Sequence, residues 1–450
     1  MAGGIFTSQN KVLPGVYINT KSSGDVTANI GTKGVVAIPE ALSWGPTGVI
    51  SEYLPGEDPT PLIGKDITST DALFLREMTK GSDVTAGPIK ILLYRPTGTG
   101  GVKATAAIGA LTATAKYVGT RGNDITIIVS ADPDVSGDYI IDTVIDGRVA
   151  DTQTVSNLTN LVSNDWVDFS GTGTTITTTA GTALTTGANP TISTTDYSSF
   201  LTALEPYTFD IVCYDGADST VRTAMASFVE RVSNSLGKKC QCVMSGGTAV
   251  NSEWVINVYN GVKLADGTTL TAAQATWWVA GAEAGAQYNQ SLTYAQYPGA
   301  VAANAKLTSA QQEAAVAAGN IIFIDDFDVV KVCTDINTLT TFTPTKGKEF
   351  KKNRLMRTIN QICNDFYEHF SNYFIGKVDN NDSGRNLMKG WCVGYLNEMQ
   401  ANNGIQNFTS EDIEVLPGNE IDAVVINLWV SPVDSVEKIY VTVTVSVTNE

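Results

Sequence analysis

The final stretch of this chain restricts its fold more than any other. From Glu437 to Glu450, Ile439, Val441, Val443, Val445 and Val447 fall on one face of an extended backbone. Tyr440, Thr442, Thr444, Ser446 and Thr448 fall on the other. This is period-two alternation in residues of high β propensity, with no Gly or Pro to interrupt it. At about 3.3 Å per residue, Lys438 to Val447 spans roughly 33 Å. An apolar ribbon of this kind must reach a sheet edge, because an unpaired strand is an aggregation hazard. Either it docks as the last strand of its own sheet, or it is donated to a neighbouring subunit. In donation, main-chain hydrogen bonds carry the affinity and alternate side chains set the register.

The opposite end favours donation. A short β-prone run, Gly15-Val16-Tyr17-Ile18-Asn19, lies behind a leader that contains Val12, and Pro14 confines it to an edge position. We therefore expect inter-subunit strand donors at Val12, Val16, Tyr17 and Ile18, and at Ile439, Tyr440, Val441, Val443 and Val445. A donor at each end links copies head to tail, and such heterologous contacts build rings or open helical filaments.

With those residues in view a family resemblance appears. Pro14-Gly15-Val16-Tyr17-Ile18, together with Pro432-Val433-Asp434-Ser435-Val436-Glu437-Lys438-Ile439-Tyr440, resembles the contractile tail sheath family. The sequence is most similar to sheaths of Bacillus and Clostridium phages and phage-like or bacteriocin-type particles. The match runs over most of the chain, strongest in 1–20 and 346–450 and weakest in 97–196. The resemblance implies an α/β (mixed α+β) fold. Its parts are a core of subtilisin-like topology, an inserted β domain, and a C-terminal α+β domain whose sheet is completed by neighbours' strands. It also implies a structural subunit that polymerises helically around a tail tube and contracts to drive the tube through a target envelope. The implied partners are further copies, the tube protein, and baseplate and terminator proteins. The implied location is a virion or phage-like tail, assembled in a bacterial cytoplasm and released by lysis.

Composition agrees with a globular chain. Of the 450 residues 43% are hydrophobic and 17% charged, which suits large cores and many interfaces. A net charge of −17 disfavours nucleic acid and anionic membrane as partners. No signal-like leader and no membrane-length apolar run is visible. The six cysteines include no C-x-x-C pair, and we expect them reduced and buried, with no metal and no cofactor.

Domain boundaries follow the composition. We expect an N-terminal linking arm at 1–20, an α/β core from 21–96 with 197–345, and an outward β domain at 97–196. A C-terminal inner α+β domain follows at 346–436, and the linking strand at 437–450. Thr and Gly dominate the insertion, with short alternating runs such as Asp124–Val129. Strands alternating with helices on either side of it argue for a mostly parallel sheet.

The subtilisin-like label raises the prospect of a degenerate hydrolase, but the sequence holds one histidine, His369, at the edge of an apolar helix face. A structural histidine is the better reading, and fold alone carries no activity. Asp325-Asp326-Phe327-Asp328 is the densest carboxylate cluster and reads as an acidic strand-end loop. No phosphate-cradling glycine loop is present. A secreted surface-layer or adhesin module is the structural alternative, suggested by the Thr-rich insertion and low charge.

Leu355, Ile359, Ile362, Phe366, Phe370 and Tyr373 recur at spacings of three and four, which predicts a long amphipathic helix. Its start carries Lys346, Lys348, Lys351, Lys352, Arg354 and Arg357 against Glu349 alone. Arg354 and Arg357 project off the apolar stripe by helical geometry. Following the resemblance, we expect these six cations to face an acidic tail tube. The alternative is a solvated basic patch.

Overall fold

A computed structural model describes residues 2–4, 15–17, 30–31, 33–246 and 250–445. The chain divides into two compact units, one holding 32–369 and 432–450, the other 370–431 with the described N-terminal residues.

The first unit is built on a seven-stranded sheet. Its spatial order is Asn320–Ile321, Val255–Val258, Gln241–Ser245, Ile211–Cys213, Val35–Pro39, Lys90–Tyr94 and Ile50–Tyr53. All neighbours are parallel except the edge strand Ile50–Tyr53. Both faces are covered, so the strands read as continuous apolar runs. Val36, Ile38, Ile91, Leu93, Ile211 and Val243 point into one core, with helix Ala272–Gly285. Ala37, Leu92, Tyr94, Val212, Cys242 and Met244 point into the other, with helices Thr194–Leu204 and Ser219–Ser235. Helix Ala272–Gly285 is started by a Thr271/Gln274 capping box and is buried on all sides from Ala275 on. A Cβ on Gly281 would lie 1.8 Å from the Met78 carbonyl oxygen, so glycine there lets helix Leu73–Thr79 approach closely.

The insertion is a pair of antiparallel sheets, one four-stranded and one three-stranded, enclosing their own core of Leu111, Ile125, Ile127, Ile141 and Val167. It leaves and rejoins the parent sheet at adjacent points, with the Thr99 amide donating to the Thr191 carbonyl at 3.0 Å. Buried Arg95 closes the junction, donating to the carbonyls of Leu42, Gly45 and Val118.

The long helix forms as the spacing predicts, over Asn353–Tyr373. The next helix runs Asp382–Ala401, capped by Asn381 and stopped at Asn403, which adopts φ +60°. Within the second unit Ile413–Pro417 and Val424–Leu428 pair as an antiparallel hairpin. Near the N-terminus Ala2–Gly4 and Gly15–Tyr17 pair in parallel.

The terminal ribbon takes up no strand position among the described residues of its own chain. Residues 438–445 form no strand within this chain. Period-two alternation specifies which faces a strand would present, but a ladder also needs an edge with free hydrogen-bonding groups. Val12, Ile18 and Val447 lie outside the described residues, as does the segment 446–450.

Candidate assembly interface

The exposed arm is the first part of the interface. Ile439, Tyr440, Val441, Val443 and Val445 are between 77% (Val441) and 90% (Tyr440) exposed. Among the described residues their backbone has no strand partner. This is a contiguous apolar row with unpaired main-chain groups, the chemistry that seeks an edge. At the other terminus, Val16 and Tyr17 sit opposite Gly3 and Gly4 in the short parallel pair.

An edge of the right kind lies in the second unit. Among the described residues, Ile413–Pro417 and Val424–Leu428 form a two-stranded sheet, which leaves an outer edge on each strand. Beside it runs a groove of about 530 Å³ lined by Phe370, Phe374, Val378, Met388, Val424 and Ile426. Asn380 shapes one wall by donating to the carbonyls of Ile421 and Ala423. Arg385 in turn donates to the Asn380 side-chain oxygen at 2.8 Å.

The six cations at the start of the long helix do not share one fate. Arg357 is 3% exposed, contrary to its expected place on a tube-facing surface. It pairs with Asp335 at 2.6 Å and with Glu283, and donates to the Gln290 carbonyl. The stripe argument failed because this helix is buried on a second flank as well, where Asn353, Asn360, Gln361 and Asp365 lie. Burial opposes the Arg357 charge, but Asp335 and Glu283 hold its pKa above the usual value. Burial also opposes the Asp335 charge, and Arg357 keeps that carboxyl below its ordinary range. Glu283 goes the other way, pushed well up by burial and by Asp335.

Lys346 is paired with Glu253. Lys352 is paired with Glu437, with Asp434 at 3.9 Å. Lys351 donates to the Val316 and Ala317 carbonyls, and burial lowers its pKa. Arg354 is half-buried, and burial lowers its pKa also. Lys348 is exposed. The sequence reading missed Glu283, Asp335, Thr293 and Glu437 as partners. Each is a lone polar residue at long separation from the helix, so no local spacing signals it.

His369 is half-buried, and desolvation lowers its pKa. The acidic strand-end loop is a hairpin turn. Asp325 accepts from the Ala303 amide at 2.6 Å and Asp326 pairs with Lys331 at 2.7 Å. The thiols of Cys213, Cys240, Cys242 and Cys392 are buried, and those of Cys333 and Cys363 partly so.

Comparison with known proteins divides the chain in the same order as its folded parts. Residues 99–189 match the phage tail sheath protein beta-sandwich domain, 191–338 the phage tail sheath protein central domain, and 345–446 the phage tail sheath C-terminal domain. The phage-like element PBSX protein XkdK of Bacillus subtilis is 33% identical over 99% of this chain and 100% of its own length. The crystal structure of a sheath tail protein from Desulfitobacterium hafniense superposes with a TM-score of 0.86 at 41% identity, covering 95% of this chain and 99% of its own. The contracted helical sheath of the anti-feeding prophage shares the fold, with a TM-score of 0.57 at 13% identity over 96% of this chain and 99% of its own.

Proposed function

This chain belongs to the phage tail sheath family, as a structural subunit and not an enzyme, and from that premise we propose that its copies are held together by exchanged terminal strands. The C-terminal arm of one copy adds to the open hairpin edge of the next, its apolar row entering the groove beside Val424 and Ile426. The N-terminal run through Val12, Val16, Tyr17 and Ile18 makes the second link. Copies wind helically around a tail tube, contact a baseplate and a terminator at the ends, and are released by host lysis after cytoplasmic assembly.

The observation that carries this reading is the arm itself. Its apolar residues are exposed, alternate at strand period and have no partner strand among the described residues of their own chain. Burying such a row gains roughly 25 cal/mol per Å² of apolar surface, so docking on a second copy is strongly downhill. Contraction then consists of subunits repacking between two lattices while the strand links persist, with the work stored in differential packing. Of the six cations, Lys348 is the one free to meet an acidic tube, with Lys351 and Arg354 at the margin of that surface. Exposed pairs of this kind are worth about 0–1 kcal/mol each, which allows sliding.

The test is electron microscopy of the purified protein. Hollow striated tubes are expected at high concentration, and removal of residues 438–450 should abolish them. Tubes of unchanged form from the truncated chain would refute strand exchange through this arm.

A further inference from the structure

Where the arm leaves the body, one carboxylate turns back. Val436 is 81% exposed and every described residue from Lys438 on is exposed, but the Glu437 side chain is only 15% exposed. One of its oxygens accepts from Thr293 Oγ1 at 2.8 Å, and the other takes the Lys352 ammonium. Both donors are themselves fixed. Thr293 Oγ1 also accepts from the Asp335 amide at 2.9 Å. The Asp335 carboxylate is held by the Leu292 amide, the Asn353 side chain and Arg357. Lys352 immediately precedes the long helix. The root of an otherwise unsupported arm is thus tied, through two hydrogen-bonded steps, to the most deeply buried ionic cluster of the subunit.

We infer that Glu437 is the register pin of the donated arm. Its clasp with Thr293 and Lys352 sets the face and direction in which residues 438 onward are offered to a second copy of this chain. The inference rests on the strand-exchange reading above.

Parity gives the clasp its consequence. In an extended chain Glu437 lies on the same side as Ile439, Val441, Val443 and Val445. Holding the Glu437 side chain therefore decides which side carries the apolar row. A slip of one residue would turn every apolar side chain away from the acceptor. A carboxylate at this depth is tolerable only when its acceptor sites are filled, so the pinned geometry is favoured over a frayed one. Pinning also removes part of the ordering cost of docking, the usual benefit of preorganisation. Flexure of the arm against its own body accordingly begins after Glu437.

Lys438 is the last Lys or Arg in the chain, which supplies a direct assay. In the unassembled full-length protein, tryptic cleavage after Lys438 requires the arm root to open. Glu437→Ala, Thr293→Val and Lys352→Met should each speed that cleavage on the order of tenfold, because proteolysis tracks the locally open population. Tubes formed by these variants should show a broadened helical rise and twist by cryo-electron microscopy. Equal cleavage rates in wild type and all three variants, or wild-type tube geometry in all three, would overturn the pin. Removal of residues 438–450 separates the two readings. If truncated protein still forms tubes, strand exchange itself fails. If truncation abolishes tubes while the three substitutions change neither readout, only the pin fails.

Discussion

At the scale of single residues, burial sorts groups that the sequence presents as alike. Arg357 and Lys348 are both cations of one basic run, yet Arg357 sits between Asp335 and Glu283 while Lys348 stands in solvent. Arg357→Met removes the charge that compensates two buried carboxyls, and we expect a loss of about 3–5 kcal/mol in urea unfolding. Replacing Arg357, Glu283 and Asp335 together by apolar residues of similar volume should cost less than Arg357→Met alone. A second buried pair sets the pH response. Burial and then the neighbouring Asp215 push the Glu40 carboxyl well up, and burial raises Asp215, which also accepts from the Trp277 indole at 3.0 Å. Both folded values lie above the unfolded ones, so the folded state binds protons more tightly. That stability is fully present below about pH 4 and is lost as pH rises through the folded values. Asp335 acts in the opposite sense, its contribution being lost as pH falls. Thermal melts across pH should show decline on both flanks, and Glu40→Gln should flatten the alkaline one.

At the scale of elements, local pattern was a good guide wherever both halves of an element lie close in sequence. The long helix was legible from the spacing of its apolar residues. The acidic loop lies at a strand end as its sequence suggests, and its backbone matters more than its charge. Phe327 and Asp328 occupy a two-residue turn at φ +47° and +64° between Phe323–Asp326 and Val329–Val332, and Phe327 is 92% exposed. Neither residue suits a left-handed turn, which favours Asn-Gly. Replacing Phe327 by Asn and Asp328 by Gly should raise stability by about 1 kcal/mol, read as an increase in Tm. The terminal arm shows the limit of pattern. Alternation says which faces a strand here would present, but a single strand has no partner in itself.

At the scale of the whole molecule, the described part of the arm adds almost nothing to the fold of its own subunit. Beyond Glu437 its described residues are exposed, so truncation after Glu437 should leave the Tm of the unassembled protein within about 2 °C of wild type. A large drop in Tm would show that the arm packs on its own body. The insertion behaves as part of the larger unit, fixed at its junction by Arg95 and by Arg121, which joins the Gly64 carbonyl to Asp124 and Asp146. Legible in the sequence were the parallel α/β plan, the inserted β domain and the helix with its apolar stripe. Each of these is written in hydrophobic period and turn chemistry, which act between near neighbours. Tertiary contacts set which cations are exposed, which carboxyls have raised pKa values and where the arm is tied. Those outcomes depend on desolvation and on partners brought together from far apart in the chain, as Thr293 and Glu437 are from 144 residues away. No local spacing encodes a meeting at that distance.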